Sequence, residues 1–138
     1  YEAFLSTDRR QAFFHGHSYT ANPLACAVAI ASLELFRETD VLGWVGRLEK
    51  QLRVGLEPLR SLAHVGDVRV IGGVGVVELE GDSGYLADIG PRLGAAFLER
   101  NLLLRPLGNI VYFMPPYAIT DGEAEWALEQ IRDVVGAL

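Results

Sequence analysis

Leu24 to Ala31 is an unbroken run of eight apolar residues standing directly behind Asn22-Pro23. Asparagine is a favoured helix N-cap, and proline suits the first helical position, where the amide it lacks would go unpaired. The spacing predicts a helix from Pro23 to about Glu38. Its first half is apolar on every side, unlike a surface helix with a single apolar stripe. Such an element has to be enclosed all round, and its alanines let neighbouring backbones come close. A larger domain or a second subunit is expected to cover it, because a chain of 138 residues has little else to bury it with.

Half of the residues are hydrophobic and 22% are charged, a balance that suits a soluble globular chain and not a disordered one. A chain this long buries roughly 70% of its unfolded surface, enough for a real core. The formal charge of −6, with no basic run interleaved with aromatics, argues against a nucleic-acid partner. Cys26 is the single cysteine, which excludes an internal disulfide and fits a reducing compartment. Within the apolar run it is expected to behave as a small buried hydrophobe. That run falls well short of the about 20 residues a membrane helix needs. No secretory signal is visible, so the cytoplasm is the expected location. Tyr1-Glu2-Ala3 opens the chain without Met, as expected of a sequence that begins inside a longer protein.

Along the chain, Tyr1 to Leu5 reads as a helix end and Ser6 to Arg10 as a polar loop, with Phe13 and Phe14 as buried anchors. Val41, Trp44, Val45, Leu48, Leu52, Leu56 and Leu59 recur at three- and four-residue steps and predict a second, amphipathic helix capped by Thr39-Asp40 and ended or kinked at Pro58. From His64 the period changes to that of strands. Val65–Ile71 and Val74–Leu79 flank Gly72-Gly73 and form either a tight hairpin or one long strand bent at the glycines. Gly81 to Gly84 reads as a turn. Leu86, Ile89, Leu93, Phe97 and Leu98 mark a third helix that should stop near Asn101. Leu102–Arg105 and Ile110–Met114 are expected to pair around Pro106–Asn109, with Pro115-Pro116 closing the strand. Asp121 is expected to cap a last helix bearing Trp126, Leu128, Ile131, Val134 and Val135. The order predicts an α+β structure, an antiparallel sheet covered by helices on one face.

Few residues stand out chemically. Ser18, Tyr19 and Thr20 precede the helix start at Asn22. The stretch is either a capped helix after an ordinary loop or a place where free backbone N–H groups and hydroxyls meet an anion such as a phosphate. Arg105 ends an apolar segment beside Pro106, where a charge needs a partner. It either snorkels at a sheet edge or offers its planar fork to a carboxylate. Tyr112, on the returning strand, is either a core aromatic or a neighbour of that arginine. His15 and His17, without a nearby Cys, Asp or Glu, make a poor metal site. Glu78, Glu80 and Asp82 read as a solvated strand end. Lys50 is the chain's single lysine and falls on the polar face of the second helix.

Two separated segments carry a resemblance. His15-Gly16-His17-Ser18-Tyr19-Thr20-Ala21-Asn22-Pro23-Leu24-Ala25-Cys26-Ala27 resembles the segment just after the catalytic lysine in class III, pyridoxal-phosphate-dependent aminotransferases. Leu104-Arg105-Pro106-Leu107-Gly108-Asn109 with Tyr112-Phe113-Met114-Pro115-Pro116-Tyr117 resembles a second element of that family, in the same order. The wording is most similar to the branch that works in biotin synthesis.

The resemblance implies the C-terminal part of a fold-type-I, homodimeric enzyme. Residues 1–21 would be a remnant of the large cofactor-binding domain with an interface loop, 22–62 connecting helices, and 63–138 the C-terminal small domain. It implies pyridoxal 5'-phosphate as cofactor and 8-amino-7-oxononanoate as amino acceptor, with S-adenosylmethionine as the usual donor and lysine in some members; the alternatives are another class III aminotransferase, acting on an ω-amino acid, ornithine or 4-aminobutyrate, or a non-enzymatic dimerisation module. Ser18 would contact the cofactor phosphate across the dimer interface, with His17 and Gly16 in the same loop. Arg105 would bind the substrate carboxylate and Tyr112 would shape the pocket. The family's lysine would lie upstream of His15, so this chain alone is expected to be inactive.

Overall fold

The computed structural model describes residues 2, 5–12, 14, 16–18, 20–81 and 87–138. The expectations for Tyr1, Ala3, Phe4, Phe13, His15, Tyr19 and Asp82 to Leu86 lie outside the described residues. The chain divides into two compact units, Tyr1–Val41 and Leu42–Leu138.

The first unit contains a short 3-10 turn, Arg9–Gln11, within the expected polar loop. Asp8 caps it, accepting from the Arg10 amide at 3.1 Å and from the Arg10 guanidinium at 2.8 Å. Helix α1 spans Pro23–Glu38, with Asn22 as its N-cap. At the other end Thr39 returns both its amide and its hydroxyl to the Leu35 carbonyl. No residue of α1 is buried; Leu24 is 79% exposed and Val28 68%. Fully burying one such side chain is worth about 1.5–3 kcal/mol, and α1 realises little of that here. Cys26 is exposed with the rest of α1, as the expectation of a covering domain or subunit implies for this chain alone. Phe14 is likewise an exposed residue and no buried anchor.

The second unit carries the core. Helix α2, Val41–Leu56, runs into a 3-10 turn at Glu57–Ser61 that contains Pro58. Strands β1, Val65–Ile71, and β2, Val74–Leu79, form a hairpin, so the glycine pair is a tight turn and not a bend. Ile71 faces Val74 across it, and Gly72 takes the left-handed φ of +52° that the turn requires. Helix α3, Ile89–Glu99, stops where expected. Asn101 adopts φ +61°, its amide reaches the Leu98 carbonyl, and the Leu102 amide reaches Phe97. This is a Schellman stop, and asparagine tolerates the left-handed position. Helix α4 spans Asp121–Gly136.

Strand β3, Ile110–Phe113, departs from expectation. It pairs with β2, matching Gly75 to Phe113 and Val77 to Val111, and the sheet order is β1-β2-β3. Leu102–Arg105 is not a strand; a lone bridge joins Leu107 to Ile110. Pro106 has no amide to give a ladder, and the Leu104 carbonyl and Pro106 ring run along Gly94 of α3 instead.

One sheet face is buried. Val68, Val77, Val111 and Phe113 point into a core with Leu48, Leu52, Leu56, Leu93, Phe97, Leu128 and Ile131. The strands alternate accordingly, as a half-covered antiparallel sheet should. Arg69, Val76 and Tyr112 align across the other face, so Tyr112 is half-buried and outside the core. Arg69 pairs there with Glu78 at 2.6 Å and Asp67 at 2.9 Å.

Thr120, not Asp121, is the N-cap of α4. Its hydroxyl accepts from the Glu123 amide, while the Glu123 carboxylate accepts from the Thr120 amide at 2.9 Å and hydroxyl at 2.6 Å. A threonine followed three residues on by glutamate is a capping box, and Asp121 sits in the first turn, where the helix dipole favours a negative charge.

Two outcomes follow from this packing. A Cβ at Gly75 would come 2.5 Å from Leu56 Cδ1, so Gly75→Ala should destabilise the unit by about 1–3 kcal/mol in denaturant unfolding. The Thr120 hydroxyl and amide hold the Glu123 carboxyl below the usual glutamate range. Its stabilising contribution is complete above the unfolded value near about pH 4.3 and is lost as pH falls through the lower folded value. Glu123→Gln keeps an acceptor in the box and should flatten that acid-side loss, read as unfolding midpoints against pH.

Candidate functional site

The residues singled out from the sequence fall in different units: Gly16, His17 and Ser18 in the first, Arg105 and Tyr112 in the second.

In the first unit, the loop before α1 is held in a costly backbone conformation. The Thr20 amide bonds to the Ser18 carbonyl at 2.6 Å, and Thr20 and Ala21 both take positive φ, +48° and +53°. Positive φ is uncommon for any non-glycine residue and an outlier for a β-branched one. Gly16, His17, Ser18 and Thr20 are exposed.

The helix start does not offer the free amides expected of it. Pro23 has none, and Asn22 Oδ1 accepts from Leu24 at 3.0 Å and Ala25 at 3.1 Å. The Cys26 amide goes to the Asn22 carbonyl. With the first turn's donors spent on its own cap, any anion here has to be met by the loop ahead, through groups such as the Ser18 and Thr20 hydroxyls. A Cβ at Gly16 would touch nothing within 4 Å, so no crowding among the described residues calls for glycine there. Hydroxyls of this kind can donate to phosphate oxygens.

In the second unit a groove of about 840 Å³ runs along the β3 edge. One wall is the extended Leu102–Arg105 segment, another is Tyr112–Pro116, and the third is Ala118, Ile119, Glu123, Trp126 and Ala127. The structure therefore brings Arg105 and Tyr112 to one site, as expected. Their proximity comes from the turn at Pro106–Asn109, which reverses the chain between them. The walls are mainly aliphatic and aromatic, and the charged groups are Arg105 and Glu123. A guanidinium on an apolar groove is suited to a carboxylate attached to a hydrocarbon chain.

Sequence reasoning missed Met114 and Trp126 as groove residues. Trp126 is 43% exposed and not on the core stripe. The signal was there: Ala124, Ala127, Leu128, Ile131 and Val135 make the buried face, and Trp126 stands about 100° round the helix from Ala127. Lys50 is exposed on α2, as its polar-face position implied. His64 lies in the loop before β1, where its Nε2 sits 2.8 Å from the Val135 carbonyl near the end of α4. Among the described residues no helix is long and apolar enough to cross a membrane.

Residues 1–135 match the family model described as aminotransferase class-III. An adenosylmethionine-8-amino-7-oxononanoate aminotransferase of Synechococcus elongatus is 44% identical over 136 residues, covering 98% of this chain and 32% of that protein. A protein of the same name from Geobacter sulfurreducens is 40% identical, over 96% of this chain and 31% of that one. Among solved structures, the enzyme of that name from Methanocaldococcus jannaschii superimposes with a TM-score of 0.75 at 31% identity, over 97% of this chain and 32% of that one. An omega transaminase from Pseudomonas jessenii, in complex with PMP, gives 0.74 at 26% identity over 91% of this chain and 29% of that one. The chain thus spans about a third of the length of the relatives it matches. The α+β fold is shared with these transaminases, and with a family match over nearly its whole length the chain belongs to the class III aminotransferases, a pyridoxal-phosphate-dependent family.

Proposed function

We propose that this chain acts as the C-terminal third of a homodimeric, cytoplasmic aminotransferase that moves an amino group onto 8-amino-7-oxononanoate, giving 7,8-diaminononanoate for biotin synthesis. The observation that carries this reading is Arg105 set with Tyr112 on a mainly apolar groove, whose other charged group, Glu123, is bonded to Thr120 in the cap of α4. The acceptor is a carboxylate on a long hydrocarbon chain, which is the chemistry such a groove selects. The names borne by relatives at 40% and 44% identity support the same acceptor.

Pyridoxal phosphate, when bound, supplies the electron sink through which the amino group is exchanged. In this reading Ser18 and His17 hold its phosphate, with Ser18 reaching the site of the partner subunit. Gly16 and Tyr112 line the substrate pocket. Arg105 takes the acceptor's carboxylate in two parallel hydrogen bonds, orienting the chain so that its keto carbon faces the cofactor. The exposed apolar surface of α1 is covered by the rest of the enzyme. Lys50 stands on an exposed helix face, so the covalent hold on the cofactor belongs to a lysine outside this chain, and the 138 residues alone have no turnover.

The test is an assay of the full-length protein with 8-amino-7-oxononanoate and S-adenosylmethionine. Formation of 7,8-diaminononanoate is expected, and none from the 138-residue chain. Turnover with lysine in place of S-adenosylmethionine would change the donor alone. Failure on this acceptor, with good turnover of ω-amino acids, ornithine or 4-aminobutyrate, would move the protein to another branch of the family.

A further inference from the structure

Among the described residues Asn109 is the polar side chain that is buried, at 3% exposure. It lies in the turn between Arg105 and Tyr112. A buried amide is costly unless its hydrogen bonds are made, and this one is spent on the end of β2. Asn109 Nδ2 donates to the Leu79 carbonyl at 2.7 Å, and the Leu79 amide donates to the Asn109 carbonyl at 2.9 Å. A continued antiparallel ladder would set a backbone amide opposite that carbonyl. Here the side chain provides the donor, one step past the last β2–β3 pair at Glu78 and Ile110.

That substitution leaves the backbone able to turn. Gly108 takes φ +60°, and Leu107 and Ile110 exchange two hydrogen bonds at 2.9 and 3.0 Å. The turn is also seated from below. A Cβ at Gly90 of α3 would come 3.2 Å from the Gly108 carbonyl oxygen and 3.5 Å from its amide nitrogen. The helix thus touches the turn backbone to backbone, and at Gly94 it runs beside Pro106. Arg105 and Tyr112 leave this anchored turn in opposite directions and line one groove.

We infer that Asn109, bonded to Leu79 and next to the Gly108 that packs on Gly90, is a positioning residue: it fixes the Pro106–Asn109 turn and so places Arg105 for a substrate carboxylate. The inference rests on the carboxylate role proposed above for Arg105. An acceptor without a proton cannot replace the amide, because it would face the Leu79 carbonyl oxygen; only a donor of asparagine's reach closes the ladder.

The experiment measures binding, by calorimetry, of octanoate and of its uncharged amide octanamide to the full-length protein. Arg105→Ala should weaken octanoate roughly ten- to a hundredfold and leave octanamide nearly unchanged. Asn109→Ala should weaken octanoate by roughly tenfold with the same selectivity, and the double variant should bind no worse than Arg105→Ala alone. Gly90→Ala, which shifts the turn without touching the amide, should reproduce the selective loss and decides the matter if Asn109→Ala does not fold. Equal weakening of acid and amide, additive losses, or unchanged octanoate binding in both variants would overturn the role of Asn109. Unchanged octanoate binding in Arg105→Ala would instead overturn the carboxylate role of Arg105.

Discussion

Helix α2 lies directly on the sheet at Gly75, and the rest of the second unit depends on that close approach. Leu52 and Leu56 fill the space where a side chain at Gly75 would be. One turn of the same helix also presses on α4, because Gly55 admits Leu128 to within van der Waals contact. Polar groups tie α2 to β1 and to α4 at the rim. Arg53 donates to the Val70 carbonyl of β1, Gln51 to the Asp121 carbonyl of α4, and Arg132 of α4 to the Gly55 carbonyl. Interiors are packed closely enough that one extra methyl at such a crossing is felt. The core that results is wholly apolar, with Leu52, Phe97, Leu128, Ile131 and Val135 fully enclosed.

With α2, α3 and α4 on one face, β3 is left as a sheet edge with α4's first turn nearby, and the groove forms in that corner. Its position is a consequence of packing that has nothing chemical in it. The chemistry enters through the guanidinium of Arg105 and the turn that carries it. Glu123, on the opposite wall, is committed to the cap of α4 by two hydrogen bonds from Thr120. It acts there as a structural carboxylate. The first unit presents the contrary situation: a well-capped helix whose apolar side chains remain exposed. Within a chain spanning a third of its relatives' length, that surface is the counterpart of the covered core in the second unit.

Much of this was legible in the residues. The bounds of α1, the stripe on α2, the glycine-centred hairpin and the stop at Asn101 each follow from a local rule: capping, period, or tolerance of positive φ. Arg105 and Tyr112 could be named, and their convergence foreseen, because a short turn separates them in sequence. The errors also have local causes. Thr120 and Asp121 are both good caps, and the glutamate three residues after Thr120 decided between them. Phe14 is hydrophobic but exposed, because hydrophobicity says that a residue prefers burial and not whether a given chain can supply it.

Sequence alone determined the elements and the chemistry on them, since caps, turns and periodicity act over a few residues. It could not determine which strand β3 would join. Leu102–Arg105 and Val74–Leu79 are both apolar enough to pair with it, and the contest is settled by Pro106's missing amide and by the glycines of α3 that draw the first segment away. Nor could it show that Asn109 would be buried with its amide spent on Leu79. Those outcomes belong to the tertiary structure, because which hydrogen-bonding group meets which partner depends on surfaces brought together from distant parts of the chain.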